Sequence, residues 1–62
     1  MKNLFQVYTP DLKPGDFVIH YNFRGIITHI ENDGEFSKLD YYYQGRFRSV
    51  RLPNWIRIRE VK

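Results

Sequence analysis

The 62-residue sequence contains no cysteine, so the chain has neither a disulfide bond nor a thiolate ligand for a metal. Its apolar runs are short, and residues 1–5 lack a hydrophobic signal segment. Neither secretion nor a membrane span is expected, and the sequence predicts a cytoplasmic protein. A chain of this length buries only about 60% of its unfolded surface. One small domain over residues 1–62 is therefore predicted.

Sustained helical periodicity is also missing, as are internal repeats and linkers. Short runs of aromatic and β-branched residues instead lie between turn-forming residues, a pattern typical of strands. The predicted strands are 17–21, 26–30, 36–43, 46–52 and 56–61. A short helical turn at 53–55 is predicted before the last strand, 31–35 is predicted to be a polar loop, and 1–11 is predicted to be an N-terminal tail or an edge strand. The layout predicts an all-β fold, a five-stranded SH3-like small barrel whose closure protects most strand edges.

The first predicted hairpin, over residues 16–30, has two apolar runs separated by a polar turn. If Arg24 and Gly25 form the tight turn, His20 lies opposite His29. A longer irregular loop ending at Arg24 would serve equally well. Facing histidines are what a metal pair or a pH switch requires, but no carboxylate is fixed beside them by the sequence. We therefore expect a structural role for both histidines, with no metal and no other cofactor.

The second predicted hairpin has a two-residue turn at 44–45, where Gly45 follows Gln44. This turn pairs Tyr43 with Arg46 on one face. The same register pairs Tyr41 with Arg48 on that face and places Tyr42 and Phe47 together on the other.

Three short stretches carry a resemblance to known families. They are 15–20 (Gly-Asp-Phe-Val-Ile-His), 23–27 (Phe-Arg-Gly-Ile-Ile) and 30–31 (Ile-Glu), about a third of the chain with the residues between them. Together they resemble the opening of bacterial SH3-like or Tudor-like domains. One such family is the YccV/HspQ type, described as binding hemimethylated DNA and as a protease-linked factor, and another is the CarD-type RNA-polymerase-interacting domain. The resemblance implies a small barrel that binds DNA or a protein complex.

The chain departs from both patterns. The CarD-type pattern has two glycines around the turn, whereas this chain has only Gly25 there. The YccV/HspQ-type pattern continues into a longer acidic insert and a second half that residues 41–55 do not match. The resemblance therefore implies the fold more strongly than the activity.

Positive charge is scarce in the first two thirds of the chain and concentrated in the last third. Through Tyr41 there are four lysines and arginines against six acidic residues, and from Tyr42 onward there are six against one. Five of those last six are arginines, whose planar guanidinium suits phosphate or carboxylate recognition. An anionic partner is therefore expected.

Aromatic residues alternate with these arginines on neighbouring predicted strands. Aromatic rings can stack on bases while arginines hold phosphates, a combination typical of nucleic-acid-binding barrels. The sequence predicts a small transcription or DNA-associated regulator whose partner is nucleic acid, with DNA favoured. The predicted binding residues are Arg24, Tyr41, Tyr43, Arg46, Arg48, Arg51, Trp55, Arg57 and Arg59.

The same residues fit two other interpretations. Arg, Tyr and Trp are also the hot-spot residues of protein interfaces, so the alternative is an adaptor or inhibitor, of phage origin for example, on an acidic surface of a polymerase or protease. In the simplest interpretation, at least half of the aromatics form the core and the arginines keep a small protein soluble. Leu4, Phe5 and Tyr8 would also allow a homodimer, if this segment added an edge strand to a second copy.

Catalytic motifs are lacking. The acidic residues Asp33, Glu35 and Asp40 fit solvated turns better than an acid/base set. Ser37 and Ser49 lie in no nucleophile motif, and there is no glycine-rich phosphate loop. The sequence therefore predicts a binding protein that is not an enzyme.

Overall fold

A computed structural model describes residues 5–62 as an all-β protein with one 3-10 helix, which confirms the predicted class. The strands are β1 (Phe5–Tyr8), β2 (Phe17–Ile19), β3 (Arg24–Asp33), β4 (Phe36–Tyr43), β5 (Arg46–Pro53), β6 (Trp55–Ile58) and β7 (Glu60–Val61). Strands β5-β4-β3-β2-β7 form one antiparallel sheet in that order, and β1 and β6 form a second, two-stranded sheet.

Both ends of the described chain are joined by strand pairing. β1 pairs with β6, with Tyr8 opposite Trp55, and β2 pairs with β7, with Val18 opposite Val61. The predicted N-terminal strand is therefore present at Phe5–Tyr8, where it pairs within the chain. Leu4, which was predicted to support a dimer, lies outside the described residues.

The helical turn predicted at 53–55 is wrong in position. Pro53 ends β5 and Trp55 begins β6, with Asn54 alone between them. The backbone N–H of Asn54 donates to the carbonyl of Glu35 at 3.0 Å. The junction is thus bonded to the turn at 34–35 and forms no helical turn of its own. The 3-10 helix lies instead at Thr9–Asp11, where a proline in the first turn suits a helix start.

Several strand boundaries also differ from prediction. β2 ends at Ile19 rather than at residue 21, and β3 begins at Arg24 rather than at residue 26. The polar loop predicted at 31–35 is largely strand, because β3 pairs with β4 as far as Asp33 opposite Phe36. The single strand predicted at 56–61 is divided into β6 and β7 at Arg59. The N–H of Arg59 donates to the carbonyl of Ile19 at 2.8 Å. At this point the chain leaves the two-stranded sheet and joins the five-stranded one.

The predicted register of the first hairpin is wrong. Val18 lies opposite Gly25, and the N–H of His20 donates to the carbonyl of Phe23 at 2.9 Å, so the turn is centred on residues 21–22. Gly25 lies inside β3 because the strand passes close to β4 there. His29 lies opposite Asp40 rather than His20.

The register of the second hairpin is confirmed, with Tyr43 opposite Arg46 and Tyr42 opposite Phe47. Gln44 and Gly45 have φ of 51° and 80°. Positive φ at both central residues is the signature of a type I′ turn, whose twist matches that of the paired strands.

The core lies between the two sheets. Its buried apolar residues are Leu12, Val18, Phe23, Ile27, Leu39, Tyr41, Leu52, Ile56 and Ile58. Thr9 and Ser37 are the buried polar residues of the described chain, and both side chains are hydrogen-bonded.

Candidate nucleic-acid interface

The β4–β5 hairpin changes from apolar to basic along one face. Leu39 lies opposite Val50 on this face, and two residues further toward the turn Tyr41 lies opposite Arg48. Because side chains alternate along a strand, Arg46 follows on the same face as Arg48. The face that covers the core thus becomes basic at the hairpin tip.

The start of β3 adds a third arginine to this tip. Arg24 borders the same concave site of about 400 Å³, which we call the arginine groove. The groove is lined by Phe23, Arg24, Tyr41, Tyr43, Gln44, Arg46 and Arg48. Five of the nine predicted binding residues therefore meet at one site, and none of the seven lining residues is acidic.

The two tyrosines of the groove have different roles. Tyr41 is only 8% exposed, and its ring centroid lies 4.8 Å from that of Phe23, so it forms part of the floor. Tyr43 is half-buried and lies edge-on to Phe17 at 6.3 Å. Tyr43 is therefore the better placed of the two for contact with a bound base.

The guanidinium groups of the groove have no carboxylate partner among residues 5–62, where the one ion pair joins Lys62 and Glu60 at 3.3 Å. Three exposed positive charges around a concavity concentrate positive potential there, and an acidic residue, Glu60, lines a small adjoining cavity with Arg24 and Arg59. Arginine also offers paired N–H donors that match phosphate oxygens. The groove is therefore suited to an anionic ligand.

The other four predicted residues lie elsewhere. Arg51 lies over the ring of Phe36 at 4.4 Å, toward the opposite end of β5. Trp55 is in a separate cavity, and Arg57 is exposed on β6. Arg59 lies beside the groove, because it lines a small adjoining cavity with Arg24.

The exposed aromatics Phe47 and Tyr42 were not predicted as binding residues. Phe47 is 76% exposed and contacts Tyr42, with ring centroids 4.9 Å apart. They continue a row across four strands, in which Phe17 lies opposite Ile26 and Ile26 opposite Tyr42. The predicted hairpin register already placed Tyr42 and Phe47 on one face, and that was the available signal.

His20 lies at the β2–β3 turn and contacts Phe23, which lines the groove; the two ring centroids are 5.2 Å apart. Burial lowers the pKa of His20 from its ordinary value of 6.5, because the charged imidazolium is less well solvated there. The backbone N–H of Asn22 donates to Nδ1 of His20 at 3.2 Å, a bond that needs an unprotonated Nδ1.

Among residues 5–62, no three His, Asp or Glu side chains are grouped as a metal site would require. The same part of the chain has no helix with the length and apolar composition to cross a bilayer. Comparison of the chain with protein-family models, with curated proteins and with solved structures finds no match. The fold and the groove together define a small all-β protein with a basic concave site.

Proposed function

We propose that this protein is a non-enzymatic nucleic-acid-binding module that holds a phosphate backbone in the arginine groove. One observation carries the proposal: Arg24, Arg46 and Arg48 come from two strands to line one concavity that has no acidic residue. Sequence-independent affinity for nucleic acid comes mainly from such contacts between basic side chains and phosphates.

The spacing within β5 supports a linear polyanion as the ligand. Arg46 and Arg48 are two residues apart on one face, which separates them by about 7 Å along the strand. Two successive phosphates can then each meet a guanidinium, while Arg24 approaches from β3. Tyr43 adds an aromatic surface beside them on which a base can stack.

We propose that the two sheets form an SH3-like small barrel, similar to the YccV/HspQ-type and CarD-type domains. The support is that β1 pairs with β6 and β2 with β7, so that the first strands close on the last ones. Under this assignment the protein acts as a cytoplasmic DNA-associated regulator.

Polarisation of a labelled DNA duplex tests the proposal, with salt concentration as the variable. We expect binding at low salt, with a logarithmic slope that decreases by about 0.9 for each phosphate contact removed. Arg46→Gln and Arg48→Gln should each weaken binding and reduce the slope. Arg57→Gln makes the same charge change outside the groove and should leave both unchanged.

Two results would overturn the proposal. One is the absence of binding at low salt by the folded wild-type protein. The other is an equal loss of affinity in Arg57→Gln and Arg48→Gln, because net charge rather than the groove would then govern binding.

A second candidate function is a protein-binding adaptor, and the exposed apolar row favours it. Ile26, Tyr42 and Phe47 are all exposed and lie directly across adjacent strands. Contiguous exposed apolar residues are a mark of protein interaction sites. Capture of one stoichiometric protein that survives nuclease treatment and is lost in Phe47→Ser would favour the adaptor.

A further inference from the structure

Two exposed aromatic rings lie together at the end of the molecule that is remote from the arginine groove. Trp55 is 59% exposed and Tyr8 is 36% exposed, and their ring centroids are 5.0 Å apart at 47°. They are directly opposite each other in the β1–β6 pair. Burial in the core does not account for this pair, and exposed Trp and Tyr are the residues most often used for recognition.

The pair borders a cavity of about 450 Å³, which we call the tryptophan cavity. Its lining residues are Tyr8, Glu35, Pro53, Asn54 and Trp55. Two aromatic rings and a proline ring give it apolar walls, and Glu35 is its one charged lining residue. No lysine or arginine of the described chain, from residue 5 onward, lies within ion-pair distance of Glu35.

Hydrogen bonds from Asn54 hold the cavity in shape. The backbone carbonyl of Asn54 accepts from the N–H of Thr9 at 2.6 Å, and the backbone N–H of Asn54 donates to the backbone carbonyl of Glu35 at 3.0 Å. Nδ2 of Asn54 donates to the carbonyl of Gly34 at 2.8 Å. The hydroxyl of Thr9 also donates to the carbonyl of Pro53 at 2.8 Å. These bonds, with the strand pairing of Tyr8 and Trp55, fix the backbone that carries the lining side chains.

We propose that the tryptophan cavity binds a basic peptide segment of a partner protein. A lysine or arginine side chain lies against the rings of Trp55 and Tyr8, with its charge directed toward Glu35. An aromatic face attracts a cation through its quadrupole, and a nearby carboxylate adds a second attraction of the same sign. The apolar stem of the basic side chain covers the ring surface that water contacts in the free protein.

The same features exclude a phosphate backbone from this cavity. None of its lining residues is basic, and Glu35 would repel an anion. The inference is therefore independent of the proposed function, because its site, its ligand charge and its residues all differ from those of the arginine groove.

Tryptophan fluorescence tests the proposal directly, because Trp55 is the one tryptophan of the sequence. Three short capped peptides are titrated at physiological salt: one alternating lysine with glycine, one glutamate with glycine and one serine with glycine. We expect a saturable change in emission with the lysine peptide alone. A DNA oligonucleotide serves as a fourth ligand and should leave the emission unchanged.

Variants separate this site from the rest of the surface. Glu35→Gln should weaken lysine-peptide binding about two- to fivefold, the range of an exposed charge pair, and Tyr8→Leu by a similar factor. Glu31→Gln makes the same charge change outside the cavity and should have no effect, as should Arg48→Gln in the arginine groove.

Two outcomes would overturn the proposal. They are equal responses to the lysine and glutamate peptides, and wild-type affinity for the lysine peptide in Glu35→Gln. Circular dichroism checks the fold of each variant. If Tyr8→Leu is unfolded, the comparison of Glu35→Gln with Glu31→Gln decides the question, because both are substitutions at exposed positions.

Discussion

The two ends of β4 use their polar residues in different ways. β4 extends from Phe36, beside the 34–35 turn, to Tyr43, beside the 44–45 turn, a span of roughly 23 Å. At the first end, Asn54 bonds to neighbouring segments and fixes the tryptophan cavity. At the second end, the arginines of the groove have no carboxylate partner within residues 5–62. The polar groups of the first end are therefore used in internal hydrogen bonds, whereas those of the second end are available to a ligand.

The two ends also differ in the sign of their charge. Glu35 is the one charged residue that lines the tryptophan cavity, whereas Arg24, Arg46 and Arg48 line the groove. The two concave sites of this small sheet therefore present charges of opposite sign to solvent.

The largest effect is expected at the close approach of β3 to β4 beside the arginine groove. An added Cβ at Gly25 would lie 2.6 Å from the carbonyl oxygen of Tyr42. Gly25→Ala should therefore force β3 away from β4 and destabilise the protein by more than about 2 kcal/mol. Urea unfolding followed by circular dichroism measures the change.

A matched glycine distinguishes this contact from a general glycine effect. Gly45 has a φ of 80° and open space around it, and asparagine tolerates that conformation. Gly45→Asn should thus cost less than about 1 kcal/mol. Equal destabilisation of the two variants would contradict the close approach of β3 to β4.

An intermediate effect is expected from the end that is held by hydrogen bonds. Oδ1 of Asn54 accepts from the hydroxyl of Ser37 at 3.0 Å, and Ser37 is fully buried. Asn54→Ala leaves that hydroxyl without this acceptor and should cost about 1–3 kcal/mol. Arg48→Gln, at the other end, should change stability by less than about 0.5 kcal/mol. Urea midpoints compare the two variants, and equal midpoints would remove the distinction between the ends.

The smallest effect is expected from pH at the basic end. Burial lowers the pKa of His20, so below its ordinary value of 6.5 the unfolded chain binds more protons than the folded protein. The stability contributed by neutral His20 is therefore fully present above that pH and is lost as the pH falls below it. Urea midpoints at about pH 7.5 and about pH 5 should differ less in His20→Gln than in wild type. Identical pH dependence in wild type and His20→Gln would show that His20 does not contribute.

The two hairpins differ in how far the sequence predicts them. The Gln44-Gly45 pair allows one tight turn, so the register that unites Tyr41 with Arg48 and Tyr43 with Arg46 was predicted correctly. Residues 21–25 allow more than one turn. Gly25 was predicted to form the turn, but it is required inside β3. The need for glycine there depends on the carbonyl of Tyr42, a contact that local sequence does not contain.

The candidate site was predictable to the same extent. Charge asymmetry and the register of the second hairpin predicted that Arg46, Arg48 and the two tyrosines lie together, but no local pattern distinguished Trp55 from them. Trp55 lies at the other end because β6 pairs with β1, and pairing between distant segments depends on how apolar faces pack in the whole chain.

Composition and local pattern alone determined the all-β class, the β4–β5 hairpin and the concentration of arginine in the last third. These properties depend on side-chain alternation and turn chemistry, which act over a few residues. Only the tertiary structure decided that Arg24 joins Arg46 and Arg48, that Tyr41 is buried, and that an acidic aromatic cavity forms at the far end of β4. The physical reason is that each of these depends on contacts between strands far apart in sequence, whose partners are selected by burial of the shared core.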